Sequence, residues 1–367
     1  MRYRITHRTV YSYETPAYES FNEIRVSPVS NEDQNCLDFS LQIDPPASVI
    51  SFSDYYGNNV HDFGVPYLHS RLTIEATSEV VTFAGIDEPL SGPGIEGTDR
   101  SPVLIDLVID PNFADLHAEF LMPSTYISLE SVSGELAAEL LASNPDATAF
   151  GYFSAAAAKV HAMLAYRIGT TTVHSTVSDV LAGGSGVCQD FAHVMISLCR
   201  HVGLPARYVS GYLGNISVSD ASHAWAEAFI PPYGWVGVDA TAGSPCTGRH
   251  VKVAVGRDYA DVAVVRGTYR GGAASSLEVA VSAEIISDTQ GMAMASGRRR
   301  GELIHYQTMG ALKQRQRLGV LSAAIAAMSE PVRQRITREF DALPAHEEYG
   351  DRVAPRQQPQ QQQQSGS

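Results

Sequence analysis

Chemistry in this chain gathers first around one cysteine. The segment Gly183-Gly184-Ser185-Gly186-Val187-Cys188-Gln189-Asp190-Phe191-Ala192-His193 sets Cys188 at the predicted first turn of a helix, behind a glycine-rich loop. Thiolate is the nucleophilic form of the side chain, and the free N–H groups and positive dipole end of a helix stabilise it. The glycines let a substrate backbone approach the sulfur and leave N–H groups available to hold an oxyanion. A merely buried cysteine behind a glycine loop looks the same locally, so the reading depends on partners. His223, 35 residues on, opens a predicted strand in Ser222-His223-Ala224-Trp225-Ala226-Glu227. Asp239, a further 16 residues on, lies on the strand that the turn Pro231-Pro232-Tyr233-Gly234 folds back beside it. A base that takes and returns a proton, oriented by a carboxylate that favours the imidazolium, is what a thiol nucleophile requires. The hairpin register is not derivable, so Glu227 and Asp220 also satisfy the spacing for the carboxylate.

Four residues are candidates for substrate contact: Gly186 and Gln189 beside the nucleophile, and Tyr212 and Trp225 on the strands that follow. Arg207 and Tyr208 are alternatives for the wall of an acyl pocket. As strand residues all of these also suit packing, and Trp225 and Trp235 read equally as core aromatics flanking the hairpin. His193, five positions after Cys188, falls on a different helix face and reads as structural or as a pocket wall rather than as the base. Cys36, Cys199 and Cys246 form no Cys-x-x-Cys pair with Cys188 or each other, and Cys199-Arg200-His201 lacks a second ligand pair at zinc spacing. No metal and no cofactor is expected.

The elements that must position these residues can be read from pattern. From Tyr3 to Phe83, short alternating runs (3–11, 22–26, 37–43 and 72–79) are separated by Thr15-Pro16, Ser27-Pro28, Asp44-Pro45-Pro46 and Tyr56-Gly57-Asn58-Asn59, which predicts an antiparallel β domain over residues 1–88. Residues 89–102, rich in Gly and Pro, predict a linker. Residues 103–283 then predict a catalytic core. Its helices cover 113–121, 133–141 and 153–166, with Ser154 a plausible start signal, and a helix over 187–202 carries apolar residues at helical spacing. Gly203 and Pro205 end that helix, and strands over 206–213, 223–230 and 235–240 follow. The fold class is α+β, with a cysteine-bearing helix packed on an antiparallel sheet. Residues 284–343 predict a basic helical extension and 344–367 a disordered Gln-rich tail. Residues 298–367 hold 11 Lys and Arg against 7 Asp and Glu, in a chain of net charge −14.

That acidic balance argues against nucleic acid as a partner. The longest nearly apolar stretch, Leu318 to Met328, is too short to cross a bilayer, and the N-terminus shows no apolar stretch of a secretory signal. A cytoplasmic protein acting on a peptide or protein substrate is therefore expected, with no membrane partner and no oligomeric state specified.

The four segments Gly186-Val-Cys188-Gln-Asp-Phe-Ala-His193, Gly203-Leu-Pro-Ala-Arg-Tyr-Val-Ser-Gly-Tyr212, Ser222-His223-Ala-Trp-Ala-Glu227 and Gly234-Trp-Val-Gly-Val-Asp239, in that order, resemble the core of the bacterial transglutaminase-like superfamily. Val253 to Asp261 and Arg266 to Gly272 resemble its closing segment, and the β-rich start with Asp54-Tyr-Tyr-Gly-Asn-Asn-Val-His61 resembles its N-terminal domain, so the likeness covers roughly residues 1–283. The resemblance implies Cys188 as nucleophile, His223 as base and acid, Asp239 as orienting carboxylate, and a transglutaminase- or papain-like core. It implies acyl transfer on peptide or carboxamide groups, as a peptidase or amidase or as a protein-glutamine transglutaminase. Two departures stand out. Gln189 follows the cysteine where large animal transglutaminases have Trp, so their calcium control does not carry over. Asp239-Ala240-Thr241-Ala242 replaces the family's Asp-Pro-Thr-Asn turn, which implies a less rigid turn that keeps the carboxylate. The alternative is a non-catalytic peptide-binding or scaffolding protein that retains the fold. An arylamine acetyltransferase shares the residue order but needs a thioester donor for which no separate site is visible.

Overall fold

The computed structural model describes residues 1–85, 87–90, 92, 99–219, 222–271 and 275–287. The predicted helical extension starts at residue 284, but 284–287 continue strand β15, which pairs with the start of β1; its remainder, the Gln-rich tail and Asp220 lie outside these residues. The β domain comprises β1 (Arg2–Ile24), β2 (Gln34–Asp44), β3 (Val49–Ser53), β4 (Asn59–Val65) and β5 (His69–Thr82). The helical layer follows as α1 (Leu104–Val108), α2 (Pro111–Leu116), a 3-10 turn (Ala118–Leu121), α3 (Ser131–Ser143) and α4 (Ala149–Met163). Then come β6 (Ala165–Tyr166), α5 (Val177–Gly183), β7 (Ser185–Gly186) and α6 (Cys188–His201). The sheet of the core follows as β8 (Ala206–Leu213), β10 (His223–Ile230), β11 (Gly234–Asp239), β12 (Ser244–Pro245) and β13 (His250–Gly256), with β9 (Ile216–Ser219) leaving it to pair with the closing strand of the other sheet. The described chain closes with α7 (Tyr259–Val262), β14 (Val265–Gly271) and β15 (Ser275–Ser287). Among the described residues no helix is long and apolar enough to cross a membrane.

Two of the predicted strands, 3–11 and 22–26, are parts of one long strand. β1 runs through Thr15-Pro16 as its ladder with β5 skips there, jumping from Ser12–Arg71 to Ala17–His69. Pro16, which has no N–H to give, sits within this gap of the β5 ladder. The closing strands β14 and β15, which the sequence places with the core, pair instead with β1 in the eight-stranded sheet. The two regions share one hydrophobic core in which Tyr3, Ile5, Val80, Val281 and Ala283 pack with residues of α3, α4 and α6.

The core sheet has the antiparallel order β12-β11-β10-β8-β13. Its outer strand β13 is not left as a free edge. Gln34 Nε2 donates to Lys252 O (2.8 Å) and Gln34 Oε1 accepts from Lys252 N (2.7 Å). Asn58 makes the same double contact with Val255 (2.8 and 2.7 Å). A register shift between Lys252 and Ala254 turns two residues three apart to the same edge. Two amides of the β domain therefore do for β13 what a neighbouring strand would.

Helix α6 is buried on all sides, although its apolar spacing predicts an amphipathic helix with one wet face. Its polar residues are absorbed by specific partners. Arg200 donates to Ala206 O, Met122 O, Ser124 Oγ and Arg257 O. His201 Nε2 meets Ser133 Oγ at 2.9 Å. The start of α4 also differs from expectation: Thr148, whose Oγ1 accepts from Gly151 N (3.0 Å), caps it five residues before Phe153.

Candidate active site

Cys188 is the first residue of α6, so its backbone N–H has no acceptor within the helix. The loop before it is held by Asp190, whose Oδ2 accepts from Val187 N (2.8 Å) and Thr171 Oγ1 (2.7 Å). Burial raises the Asp190 pKa, with these two hydrogen bonds opposing it. A Cβ at Gly186 would come 2.6 Å from Asp190 Oδ2, so the glycine before the nucleophile is required by this carboxylate folding back over it. Gly186 O accepts from Arg167 N, and the parallel pairing of β6 with β7 sets Tyr166 opposite Gly186.

His223 and Asp239 meet as the spacing predicts, by a route it does not fix. In the observed register Ala226 faces Val238 and Ile230 faces Gly234. Trp225 therefore lies opposite Asp239, and His223 reaches the carboxylate diagonally on the same face of the sheet. His223 Nε2 lies 2.7 Å from Asp239 Oδ2, and Cys188 lies close enough to the same imidazole to help raise its pKa. With Nε2 held by Asp239, the nitrogen left to serve the thiol is Nδ1. Burial disfavours the charged ring, but the hydrogen bond to Asp239, the nearby Cys188 and the negative charge of both outweigh it, and the His223 pKa rises to about 10. Burial likewise opposes charge on Asp239, yet hydrogen bonds from two histidines hold its carboxyl well below the usual range. Asp239 Oδ1 accepts from Thr241 N (2.8 Å) and Ala242 N (3.4 Å), so this turn is tied by the carboxylate itself without the Pro and Asn of the family pattern.

The second histidine is His250, which the sequence analysis does not single out. Its Nε2 lies 3.4 Å from Asp239 Oδ2 and its Nδ1 accepts from Thr247 N (3.0 Å). β11 and β13 are separated by two strands in the sheet order, so this contact exists only because the sheet curls upon itself. Gly211 lets it do so: a Cβ there would fall 2.5 Å from the Trp225 ring and 2.3 Å from Val251 O. Tyr166 also escapes the sequence analysis. It is half exposed beside the site, and burial, then the charges of Cys188 and Asp239, push its pKa up.

The predicted substrate contacts divide. Gln189 is half-buried next to Cys188, with Nε2 3.4 Å from Val173 O. Tyr212 does not face the site: it is buried toward the β domain, its hydroxyl on His7 Nδ1 (3.0 Å) and Val26 O (3.3 Å). The alternation of β8 turns it into the shared core. Trp225 is also withdrawn, 1% exposed, beneath the His223 and His250 rings at 6.3 and 5.2 Å. It supports the imidazoles, and its burial leaves no surface for substrate. Arg207 turns away to pair with Glu227 (2.6 Å) and to cover the Trp235 ring (4.1 Å). Tyr208 is buried close to Cys188. His193 is structural: buried, its Nε2 accepts from Tyr259 N (3.2 Å), and burial lowers its pKa to about 3.

Comparison with known proteins matches residues 3–81 to the bacterial transglutaminase-like N-terminal region and residues 135–240 to the transglutaminase-like superfamily. The chain is 34% identical over 287 residues to an uncharacterized protein of Mycobacterium leprae, covering 76% of this chain and 97% of that one. A crystal structure of a candidate cysteine protease from Cytophaga hutchinsonii superposes with a TM-score of 0.59 at 26% identity, covering 77% of this chain and 90% of that one. A protein-glutamine gamma-glutamyltransferase of Pseudomonas aeruginosa is 39% identical over 67 residues, 16% of this chain and 10% of that protein.

Proposed function

We propose that this chain, which belongs to the transglutaminase-like superfamily, is a cysteine-dependent acyl-transfer enzyme acting on carboxamide or peptide carbonyls. The observation that carries this reading is the unbroken line from the Cys188 thiol through His223 to Asp239, beginning at a helix N-terminus. The Cys188 thiolate attacks the carbonyl carbon, and the Cys188 backbone N–H supplies one donor to the oxyanion that forms. The His223 imidazolium gives its Nδ1 proton to the departing amine as the C–N bond breaks, leaving a thioester on Cys188. His223, now neutral, takes a proton from the acceptor that attacks the thioester; the C–S bond breaks, the acyl product is released, and the Cys188 thiolate and His223 imidazolium are regenerated. Asp239 stays ionised throughout and stabilises the imidazolium.

The acceptor we assign is water. Cys188 is half-buried and the His223 side chain is 17% exposed, so bulk solvent reaches the reacting atoms, and selecting an amine over water requires a shielded site. The test is a glutamine-containing peptide incubated with the enzyme, with and without a primary amine, and followed by mass spectrometry. Hydrolysis of an amide bond in the absence of the amine, with a transient acyl mass on Cys188 that Cys188→Ala lacks, is the expected result. Product formed only with the amine present would make the protein a transglutaminase. Absence of any acyl adduct across a peptide library would remove the enzymatic reading.

A further inference from the structure

The described residues hold one histidine in the site to which the triad assigns no role. His250 is buried, with 5% of its surface exposed, and three contacts fix its ring: Thr247 N–H on Nδ1, Asp239 Oδ2 against Nε2, and the Trp225 ring edge-on at 5.2 Å and 81°. A backbone N–H can only donate, so Nδ1 must present its lone pair to Thr247. The proton of the neutral ring is then on Nε2, which points at Asp239. Asp239 Oδ2 thus receives His223 and His250 together, while Oδ1 receives the turn amides of Thr241 and Ala242.

Resting on the acyl-transfer reading above, we infer that His250 is a positioning residue for the triad: its Nε2–H fixes the Asp239 carboxylate so that one lone pair of Oδ2 is aimed at His223 Nε2. The imidazole is thereby kept turned with Nδ1 toward Cys188. Without His250, Oδ2 keeps only its bond to His223 itself, since both turn amides act on the other oxygen. Rotation about the Asp239 side chain would then move Oδ2 off His223.

A rival use of the same atoms is a metal site, since one ligand atom each from His223, Asp239 and His250 lies within 4.8 Å of the others. The donor set does not suit it. With Nδ1 accepting from Thr247 N–H, His250 could offer an Nε2 lone pair only as an imidazolate, and a metal on His223 Nε2 would displace the bond to Asp239.

The test uses the full chain and two variants, His250→Phe, which keeps bulk but donates nothing, and His250→Gln, whose side-chain amide replaces the Nε2 donor. The readout is the rate of iodoacetamide modification of Cys188 as a function of pH. Loss of a hydrogen bond to a charged acceptor corresponds to a drop of about 10- to 100-fold, so His250→Phe should slow Cys188 modification at neutral pH by that factor. Its pH profile should move to that of Asp239→Asn, and His250→Gln should recover most of the rate. A purely structural role would lower the melting temperature in both variants and leave the folded protein's profile where it was, and that result overturns the inference. Imidazole 15N shifts of the wild-type protein give an independent check that needs no variant. The Nε2–H tautomer at His250 supports the inference and Nδ1–H overturns it, as does stoichiometric zinc binding that depends on His250. Wild-type Cys188 no more reactive than Cys199 would instead defeat the acyl-transfer reading itself, so the two failures are separable.

Discussion

Strand β10 carries a buried charged cluster at each end of one face, and the two do different work. Near its start His223, Asp239 and His250 surround a carboxylate with titratable rings and reach a thiol. Further along, Glu227 is clamped between Lys252 Nζ (2.6 Å) and Arg207 (2.6 Å), with Asp33 of the β domain 3.8 Å from the lysine. Both carboxylates are almost fully buried, and in both, cationic or hydrogen-bonding partners overcome the cost of burial and keep the acid ionised. The partners make the difference. The ammonium and guanidinium serve the glutamate as ion-pair donors, whereas an imidazole can both give and take a proton. The Glu227 cluster ties sheet to β domain, and the Asp239 cluster is left with a nitrogen turned to a nucleophile.

The sharpest way to break that contrast is at the reactive end. Removing the base with His223→Ala should cut Cys188 acyl transfer by about 10²–10⁴-fold, the usual contribution of general acid–base catalysis, while Cys188→Ala abolishes it with a nearly unchanged melting temperature. Glu227→Gln should show the converse in urea unfolding. It leaves Lys252 and Arg207 buried with an uncharged partner, so stability falls by about 3–5 kcal/mol, while the folded protein's Cys188 reactivity is unchanged. Equal loss of reactivity in Glu227→Gln would mean that the two ends are one system.

pH separates the clusters as well. The folded pKa of His223 is raised from 6.5 to about 10, so its contribution to stability is complete below pH 6.5 and is lost as pH climbs through about 10. The stability difference between wild type and His223→Ala should therefore shrink over that interval, as read from urea midpoints. Asp239 is depressed, so its contribution is complete above the ordinary carboxylate range and is lost as pH falls through the folded value. The smallest effect is expected from Gln34→Ala, which strips two hydrogen bonds from Lys252. A loss of about 1–3 kcal/mol in urea unfolding, with no change at Cys188, matches the view that the β domain shields an edge.

What the sequence could disclose follows from how local each interaction is. Cys188 at a helix start and His223 and Asp239 on a hairpin are set by contiguous segments with turn and cap signals, so they are legible. Helix α6 and strands β8, β10 and β11 fall within a residue or so of their expected bounds for the same reason. His250 is not legible, because it meets Asp239 only after the sheet curls past two intervening strands. Nor is the withdrawal of Tyr212, which depends on a partner, His7, that is 205 residues away. Glu227 and Asp239 are indistinguishable by spacing from His223. The choice between them is made by Arg207 of the adjacent strand β8 and Lys252 of β13 beyond it, which occupy the glutamate.

The most direct test of the central claim, that Cys188, His223 and Asp239 act as one unit, is intact-mass measurement of iodoacetamide modification across pH. Wild type is compared with His223→Ala, with Cys199, fully buried and with its thiol pKa pushed far up by burial, as the internal reference. The account predicts that Cys188 is modified first and selectively at neutral pH, and that this selectivity disappears in His223→Ala. Equal, slow modification of Cys188 and Cys199 in both proteins would contradict it.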